Sequence, residues 1–201
     1  MINVVDYNKR WVGKRNVWDL YAAHQFNVLT SLGLREYHVL LDIGCGSLRG
    51  GRLFISYLEP RNYYGIEPEK NIISGIIKDE MGEEYINKRR PFFDYNKDAN
   101  LSIFNKKFDF ILAHSVLIHA PKSWIKTCFK EVKRVLRPDG KFVATITFAE
   151  KDSEETNWKY SDTRHFTRKT IGELAKQSGL KLEITKIIHP TKRDTWIILT
   201  H

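Results

Sequence analysis

Hydrophobic and polar residues follow two different periods along the chain, and these periods predict strands and helices in alternation. Short apolar or alternating runs predict strands at residues 39–41, 62–66, 91–95, at the start of 108–120, and at 141–148, 180–188 and 195–200. Apolar residues at helical spacing predict helices at residues 12–34, 50–58, 72–86, 122–136 and 170–178. Strands that alternate with helices imply an α/β fold, with a parallel sheet covered by helices on both faces.

The chain has 201 residues, which is long enough to bury a sizeable core, and no repeat or linker divides it. We therefore predict a single domain over residues 1–201. Residues 1–36 form a helical cap in front of the first strand, and residues 37–201 form the core. The Arg-Pro-Asp-Gly sequence at 137–140 predicts a turn, and the polar, acidic residues 149–163 predict a loop or flap.

The segment VLLDIGCGSLRGG, at residues 39–51, is the one around which the chain is organised. Its apolar run ends in Asp42, and the residues after it include Gly44, Gly46, Gly50 and Gly51. A strand, a glycine-rich turn and a helix bring backbone N–H groups close to a bound ligand, so the segment predicts a nucleotide-like cofactor. The dinucleotide pattern G-x-G-x-x-G would need glycine at position 49, where Arg49 stands, which argues against a nicotinamide cofactor.

The helix predicted at residues 12–34 carries polar and aromatic side chains that either cover a pocket or pack on the sheet. These side chains are Trp18, Tyr21, His24 and Gln25. Both interpretations are open at the level of sequence.

The chain is basic, with a formal net charge of +9 and a pI near 9.5. Such a surface attracts phosphates, nucleic acid or an acidic protein. The lysines and arginines are spread along the chain, and no long basic tract with interleaved aromatic residues occurs. We therefore expect an anionic small molecule more readily than a nucleic acid as partner.

The cysteine count and the hydropathy indicate the compartment. Only Cys45 and Cys128 occur, so a disulfide framework is not expected and a reducing, cytoplasmic setting is predicted. No apolar run approaches the roughly 20 residues that span a bilayer, and the first residues do not read as a secretory signal. No Cys/His spacing is typical of a zinc site, so no metal is predicted.

Four segments, in the proper order, resemble class I S-adenosylmethionine-dependent methyltransferases. They are LLDIGCGSLRGG, YYGIEPEKNII, the loop around Asp98, and FDFILAHSVLIHAP followed by a helix and VLRPDGKFVATIT. The resemblance covers residues 39–200 and implies a Rossmann-like, doubly wound, mostly parallel sheet of seven strands with an added N-terminal helix. The cofactor that it implies is S-adenosylmethionine, and the product is S-adenosylhomocysteine.

The resemblance also implies which residues bind the cofactor. The turn residues that hold its amino-acid end are Asp42, Gly44, Cys45, Gly46 and Ser47. Glu67, followed by Pro68, is placed at the end of the second strand to accept hydrogen bonds from the ribose hydroxyls. Asp98 resembles the acid that binds the adenine amino group, with Asp94 as the alternative. His114 and Ser115 follow the fourth strand, at the edge of the sheet where ligands bind.

His119 is the first candidate for a general base, with His114 and His24 behind it. The alternative is that His119 is a structural member of its segment, hydrogen-bonded to a neighbouring loop. The chain departs from the family's usual turn because Leu48 stands where the third glycine is expected. The SLRGG version loosely resembles a bacterial subgroup that acts on small molecules or sugars.

These features predict an enzyme that transfers a methyl group to an oxygen or nitrogen atom of a small molecule, such as a sugar or a natural product. No N-P-P-Y or D-P-P-Y run follows the fourth strand, and neither cysteine lies in a loop suited to attack on a pyrimidine. The first alternative is an RNA or other nucleic-acid methyltransferase. The second is a module that binds S-adenosylmethionine without turnover.

Overall fold

The computed structural model describes residues 17–154, 157–158, 160 and 163–201. The chain divides into two compact units, Met1–Lys97 and Asp98–His201. The first five residues of the predicted helix at 12–34 and five residues of the predicted flap at 149–163 lie outside the described residues. The single domain over the whole chain stays a prediction.

The first unit contains an N-terminal helix followed by three strands with helices between them. Its elements are α1 (Trp18–Ser31), β1 (Leu40–Ile43), α2 (Gly51–Tyr57), β2 (Tyr63–Ile66), α3 (Lys70–Ile76), a π-helical turn (Ile77–Met81), α4 (Glu83–Arg89) and β3 (Phe92–Asp94). The strands are parallel and lie in the order β3-β2-β1. All residues of β1 and β2 are buried, as expected of strands in a parallel sheet.

The second unit contains four strands and two α-helices. Its elements are a 3₁₀ turn (Leu101–Phe104), β4 (Phe108–Ala113), α5 (Lys122–Val135), β5 (Leu136–Thr147), α6 (Arg168–Gln177), β6 (Lys181–Ile188) and β7 (Asp194–Thr200). The strands lie in the order β4-β5-β7-β6. The β4–β5 pair is parallel, whereas β7 runs antiparallel to both of its neighbours.

The predicted fold class is confirmed. The described residues form a seven-stranded, mostly parallel sheet with one antiparallel hairpin at its end, and a helix precedes the first strand. No described helix combines the length and the apolar character that crossing a membrane requires.

Glycine residues in the left-handed conformation follow two of the helices. Gly33 follows α1 with φ 105°, and Gly179 follows α6 with φ 71°. Thr167 begins α6, because its hydroxyl accepts a hydrogen bond from the backbone N–H of Thr170 at 3.1 Å.

The single helix predicted at residues 72–86 is wrong, because the structure has three pieces there. The π-helical turn at Ile77–Met81 follows α3, and α4 begins only after Gly82. Gly82 has φ 83°, a left-handed conformation that a continuous helix does not contain. The apolar spacing continues across this break, so periodicity alone does not reveal it.

The turn predicted at residues 137–140 lies inside an irregular β5. Leu136 pairs with Phe108, and Lys141 pairs with Phe110, so most of the turn residues are extra to the ladder. Gly140 fits there because a Cβ atom would lie 3.0 Å from the backbone carbonyls of both Arg137 and Asp109. The strand therefore starts directly after α5 and not at residue 141.

Asp42 also lies elsewhere than predicted. It is the third residue of β1, opposite Gly65 of β2, and does not close the strand. The strand extends to Ile43 because the hydrogen-bonded pairing with β2 continues to Ile66.

Leu48 occupies the position where the resemblance leads one to expect glycine, and it adopts the conformation that glycine favours. Its φ is 53°, and its side chain is fully buried. An ordinary residue in this conformation costs roughly 1–2 kcal/mol, so burial of the leucine side chain offsets a backbone penalty.

This conformation predicts an unusual order of stabilities. Leu48→Ala and Leu48→Gly both remove a buried side chain and should destabilise the protein by roughly 2–5 kcal/mol. Because glycine tolerates this φ, Leu48→Gly should be the more stable of the two by about 1 kcal/mol in urea unfolding. At Leu29, which is fully buried inside α1, the order should be reversed by about 1 kcal/mol. The same order at both positions would contradict the prediction.

Candidate functional site

The glycine-rich turn is held against the end of β2 by backbone hydrogen bonds. The N–H groups of Gly44 and Cys45 both donate to the carbonyl of Ile66, at 2.8 and 3.1 Å. Gly44 and Gly46 have φ of 66° and 53°, so both need the freedom of glycine. The turn therefore has a fixed place at the carboxyl end of the strands of the first unit.

Glu67 joins the same turn through its side chain. Its Oε2 accepts a hydrogen bond from the N–H of Gly46 at 3.1 Å, and its Oε1 accepts one from the N–H of Glu69 at 3.0 Å. Burial raises the pKa of this carboxyl, although the two N–H donors act in the opposite direction. A carboxylate has about four acceptor positions, so Glu67 retains capacity for ribose hydroxyls. Pro68, between the two glutamates, is exposed.

Asp42 is a buried carboxyl group at the base of the turn. Its Oδ2 accepts a hydrogen bond from the hydroxyl of Tyr63 at 2.8 Å. Burial raises the pKa of Asp42 to about 7, against the opposing effects of the Tyr63 hydroxyl and the Arg49 charge. Asp42 therefore gains or loses its proton near neutral pH. The part played by Tyr63 was not predicted, since nothing in the sequence links it to Asp42.

Arg49 places a positive charge in the same segment. It is buried, and its guanidinium carbon lies 5.1 Å from the ring centroid of Tyr21 on α1. Burial lowers the pKa of Arg49 to about 10, so it stays charged at neutral pH. The sequence alone indicated only that Arg49 argues against a dinucleotide-binding motif, and it did not indicate this contact.

The other two predicted residues of the turn, Cys45 and Ser47, are both buried. A Cβ atom on Gly65 would lie 2.9 Å from the sulfur of Cys45, so this thiol lies against β2. Burial raises the pKa of the Cys45 thiol well above its usual range, which makes it unreactive. The hydroxyl of Ser47 is buried and has no hydrogen-bond partner among the described residues.

The N-terminal helix lies against the glycine-rich turn. The guanidinium carbon of Arg52 is 4.4 Å from the ring centroid of Trp18, and Arg49 lies over Tyr21. A Cβ atom on Gly50 would lie 2.5 Å from Oε1 of Gln25. The same face of α1 therefore lies against the turn, and its role as the cover of a pocket stays a prediction.

His24, on the same helix, is half-buried, and this burial lowers the pKa of its imidazole. It is one of the two reserve candidates for the base.

In the second unit, His114 and Ser115 follow β4 and lie in a buried hydrogen-bond network. Nε2 of His114 and Nε2 of His189 are 3.0 Å apart. Ser115 has φ 58°, and its N–H donates to the hydroxyl of Thr145 at 2.8 Å. Strained residues of this kind cluster at functional sites.

The other ring nitrogens of the two histidines contact hydroxyl groups. Nδ1 of His189 lies 2.8 Å from the hydroxyl of Thr191, which donates to Asp194 at 3.1 Å. Nδ1 of His114 lies 3.3 Å from the hydroxyl of Ser115. His189 lies 75 residues away in the chain, and its role was not predicted.

Asp194 anchors this network from the opposite end. It accepts hydrogen bonds from Thr147 at 2.8 Å and from Nε of Arg193 at 2.9 Å. Burial works to raise the pKa of Asp194, but these partners outweigh it and hold the pKa below its usual value. Asp194 therefore remains a negatively charged carboxylate close to the histidine pair.

His119 is half-buried in the loop after β4 and lies at the side of a cluster of aromatic residues. Its ring centroid lies 6.1 Å from that of Tyr160. Trp158 stacks on Tyr160 at 5.8 Å and meets Trp124 edge-on at 5.0 Å. The described part of the flap therefore brings aromatic rings to the predicted base.

Arg164 ties the flap to the loop that carries His119. Its N–H donates to the carbonyl of Ile118 at 2.7 Å, and its Nε donates to the carbonyl of His119 at 3.3 Å. The guanidinium also donates to the carbonyl of Asn157. Arg164 is buried, and sequence reasoning missed it because its partners are backbone atoms distant in the chain.

The two adenine candidates differ in their surroundings. Asp98 is exposed in a bend, whereas Asp94 ends β3 and accepts the N–H of Asn96 at 2.9 Å. The preference for Asp98 stays a prediction, as do the roles of the other predicted site residues.

The first unit fits the cofactor that the resemblance implies. A buried hydroxyl without a partner, such as that of Ser47, is a cost that a ligand's polar atom removes. Gly44 and Gly46 keep the backbone free of side chains, and Glu67 retains acceptor capacity. With Asp42, these are the residues that would hold S-adenosylmethionine. Among the described residues, no group of three or more His, Cys, Asp or Glu side chains is suited to hold a metal ion.

The buried state of Asp42 predicts how stability depends on pH. A carboxyl with a pKa of about 7 in the folded protein and about 4 in the unfolded chain stabilises the fold fully below pH 4. This contribution, on the order of 4 kcal/mol, is lost as pH rises from about 4 through 7. Asp42→Asn should therefore gain stability relative to the native protein over that range in urea unfolding. The exposed Asp139 provides the control, since Asp139→Asn should follow the native pH dependence. Parallel curves for the native protein and Asp42→Asn would contradict the prediction.

Comparison with known proteins identifies the fold. The chain is similar to an S-adenosylmethionine-dependent methyltransferase from Methanosarcina mazei, at 19% identity over 85% of this chain and 95% of that chain, with a TM-score of 0.62. It is similar to the glycopeptide N-methyltransferase MtfA in complex with S-adenosylmethionine, at 11% identity over 89% and 93% of the two chains, with a TM-score of 0.67. Magnesium protoporphyrin IX methyltransferase from Synechocystis, also with S-adenosylmethionine bound, has 13% identity over 93% and 85%, with a TM-score of 0.63.

No curated protein sequence matches the chain. The family model described as a methyltransferase domain matches residues 41–142, about half of the chain and the whole of the glycine-rich turn. The chain therefore belongs to the methyltransferase-domain family and is a class I S-adenosylmethionine-dependent methyltransferase.

Proposed function

We propose that this methyltransferase acts on an oxygen or nitrogen atom of a small molecule, with sugars and ring-bearing natural products as the first classes to test. The observation that carries the proposal is the aromatic surface around His119. A half-buried imidazole beside Tyr160 and Trp158 offers flat apolar faces together with one group that takes a proton. Aromatic and sugar rings stack on such faces, and each stacked pair contributes about 0.5–1.5 kcal/mol.

The hydrogen bonds at the two ends of the flap also support a small acceptor. Asp152 accepts hydrogen bonds from the N–H of Thr167 at 2.7 Å and from the hydroxyl of Thr170 at 2.6 Å. Arg164 attaches the flap to the His119 loop. A flap fixed at both ends favours an acceptor of limited size over an extended polymer.

The names of two similar structures are compatible with this proposal. One is called a glycopeptide N-methyltransferase, and the other a magnesium protoporphyrin IX methyltransferase. At 11% and 13% identity they share only the fold with this chain. They support the view that this fold serves acceptors other than nucleic acids.

The chain's own residues orient the reactants and accept a proton. S-adenosylmethionine supplies, when bound, an electrophilic methyl group on its sulfonium. Asp42, Glu67 and the turn between them would hold the donor, and the fixed flap would exclude water from the acceptor. Proximity and orientation remove on the order of 7–11 kcal/mol of barrier. His119 would accept the proton of an acceptor hydroxyl or ammonium group, which adds about 10²–10⁴-fold.

The proposed acceptor class is tested by measuring S-adenosylhomocysteine release with purified protein and labelled S-adenosylmethionine. The acceptor panels are glycosides, phenols, small amines and total RNA. We expect turnover with one of the small-molecule panels. Label transfer to RNA alone, with an affinity for RNA that falls steeply as the salt concentration rises, would contradict the proposal. It would favour the nucleic-acid alternative, which the net charge of +9 also supports.

The role of His119 predicts a specific kinetic change. His119→Gln should lower kcat by about 10²–10⁴-fold, because the group that takes the proton of the acceptor is removed. Binding of S-adenosylhomocysteine in isothermal titration should not change. His38→Gln, at another half-buried histidine, should leave kcat unchanged. An unchanged kcat in His119→Gln would contradict a catalytic role for His119.

We also infer a cytoplasmic setting and an anionic acceptor. The first follows from the low cysteine content, and both cysteines are buried as free thiols. The second follows from the net charge of +9.

A further inference from the structure

His189 lies on the turn between β6 and β7, and its imidazole reaches the loop after β4 through a buried contact with His114. We propose that His189 is a positioning residue for methyl transfer, which acts through His114 to hold the hydroxyl of Ser115 in place beside the acceptor. This role rests on the proposed function and deepens it, because it adds an orienting group to the base His119.

Ser115 has a fixed backbone and a hydroxyl with bonding capacity to spare. Its φ of 58° is in the left-handed region, and its N–H donates to the hydroxyl of Thr145 on β5 at 2.8 Å. The residue is half-buried, and within the described part of the chain its hydroxyl has one hydrogen-bond contact, with Nδ1 of His114 at 3.3 Å. A hydroxyl donates one hydrogen bond and accepts two, so Ser115 can also bind a ligand.

The position of Ser115 favours contact with the methyl acceptor. The residue follows the carboxyl end of β4, where ligands bind in parallel α/β sheets, and precedes His119 by four residues in the same loop. Residues in sparsely populated backbone conformations cluster at functional sites. The acceptor whose proton goes to His119 must approach this loop, so the hydroxyl of Ser115 is suited to bind a polar group of that acceptor.

The two imidazoles behind Ser115 hold each other in one orientation. Their Nε2 atoms are 3.0 Å apart, and their ring planes are inclined by 28°. The ring of Trp196 packs against both, with its centroid 5.2 Å from that of His114 and 5.8 Å from that of His189. Because both histidines are buried, rotation of His114 would break a hydrogen bond where water cannot replace it. The pair therefore fixes Nδ1 of His114 beside Ser115.

His189 is in turn held by the segment on which it lies. Its Nδ1 is 2.8 Å from the hydroxyl of Thr191, which donates to Asp194 at 3.1 Å. Asp194 also accepts a hydrogen bond from the hydroxyl of Thr147 on β5 at 2.8 Å. A continuous network thus extends from this carboxylate to Ser115.

Stability alone does not account for such a network. A buried pair of hydrogen-bonded groups contributes little to net stability, and apolar side chains of the same shape can replace both partners with little loss. The two histidines come from segments 75 residues apart. Their pairing is better explained by the need for an imidazole of fixed orientation beside Ser115.

The test is a double-mutant cycle on kcat/KM for the glycoside, phenol or amine that turns over in the S-adenosylhomocysteine release assay. Ser115→Ala and His189→Leu should each lower kcat/KM by about threefold to tenfold, because one hydrogen bond is lost or misdirected. The double variant should be no slower than Ser115→Ala, because His189 acts only through this hydroxyl. The affinity for S-adenosylhomocysteine in isothermal titration should not change in any of the three.

Conservative variants separate positioning from a general loss of packing. The amide of His189→Gln can still bond Nε2 of His114, so this variant should recover most of the kcat/KM that His189→Leu loses. Thr185→Val is the control on the same hairpin, because its hydroxyl accepts the N–H of Ile187 at 3.2 Å outside the network. It should keep the native kcat/KM. Should His189→Leu fail to fold, the shorter His189→Asn takes its place in the cycle.

Additive losses in the double variant would overturn the inference, as would an unchanged kcat/KM in either single variant. A His189→Gln variant as slow as His189→Leu would also overturn it, because the hydrogen bond to His114 would then not be what matters. Each of these results, with normal methyl transfer by the native protein, leaves the proposed function intact. Native protein that turns over none of the small-molecule panels would overturn the proposed function and this inference together.

Discussion

Two backbone N–H groups, those of Gly44 and Cys45, share the carbonyl of Ile66, and the architecture of the first unit depends on this tether. It fixes the glycine-rich turn at the end of β2, where Glu67 adds a third bond to the N–H of Gly46. The chain can take this path only with left-handed conformations at positions 44, 46 and 48. Two of these residues are glycines, and the third is the buried Leu48. At Leu48, burial of the side chain offsets the free-energy cost of the left-handed backbone conformation.

The turn gathers buried polar groups that the apolar strands around it do not satisfy. Asp42 and Arg49 have opposite charges, and Tyr63 supplies one hydrogen bond to Asp42. Burial of such groups opposes stability, so their presence together marks a place where binding and stability compete. Residues of α1 cover this place, which explains why a helix precedes the first strand.

The second unit satisfies its buried polar groups differently. His114 and His189 form a hydrogen bond with each other, and Asp194 remains a carboxylate close to this pair. This arrangement orients Ser115 and leaves His119 as the half-buried imidazole of the loop after β4. The guanidinium of Arg164 binds the backbone carbonyls of His119 and Asn157 and so connects the flap to this loop. The loop and the flap are therefore ordered by side chains that come from distant parts of the chain.

The sequence by itself determined the α/β class, the alternation of strands with most of the helices, and the glycine-rich turn after the first strand. These depend on local periodicity, on glycine and on short motifs, which act within a few residues. The tertiary structure decided the break at Gly82, the irregular start of β5, the conformation of Leu48 and the partners of Asp42, His114 and Arg164. Tyr63 lies 21 residues from Asp42, and His189 lies 75 residues from His114. Pairings at such separations are fixed only when the strands assemble, because no local pattern specifies which buried groups will meet.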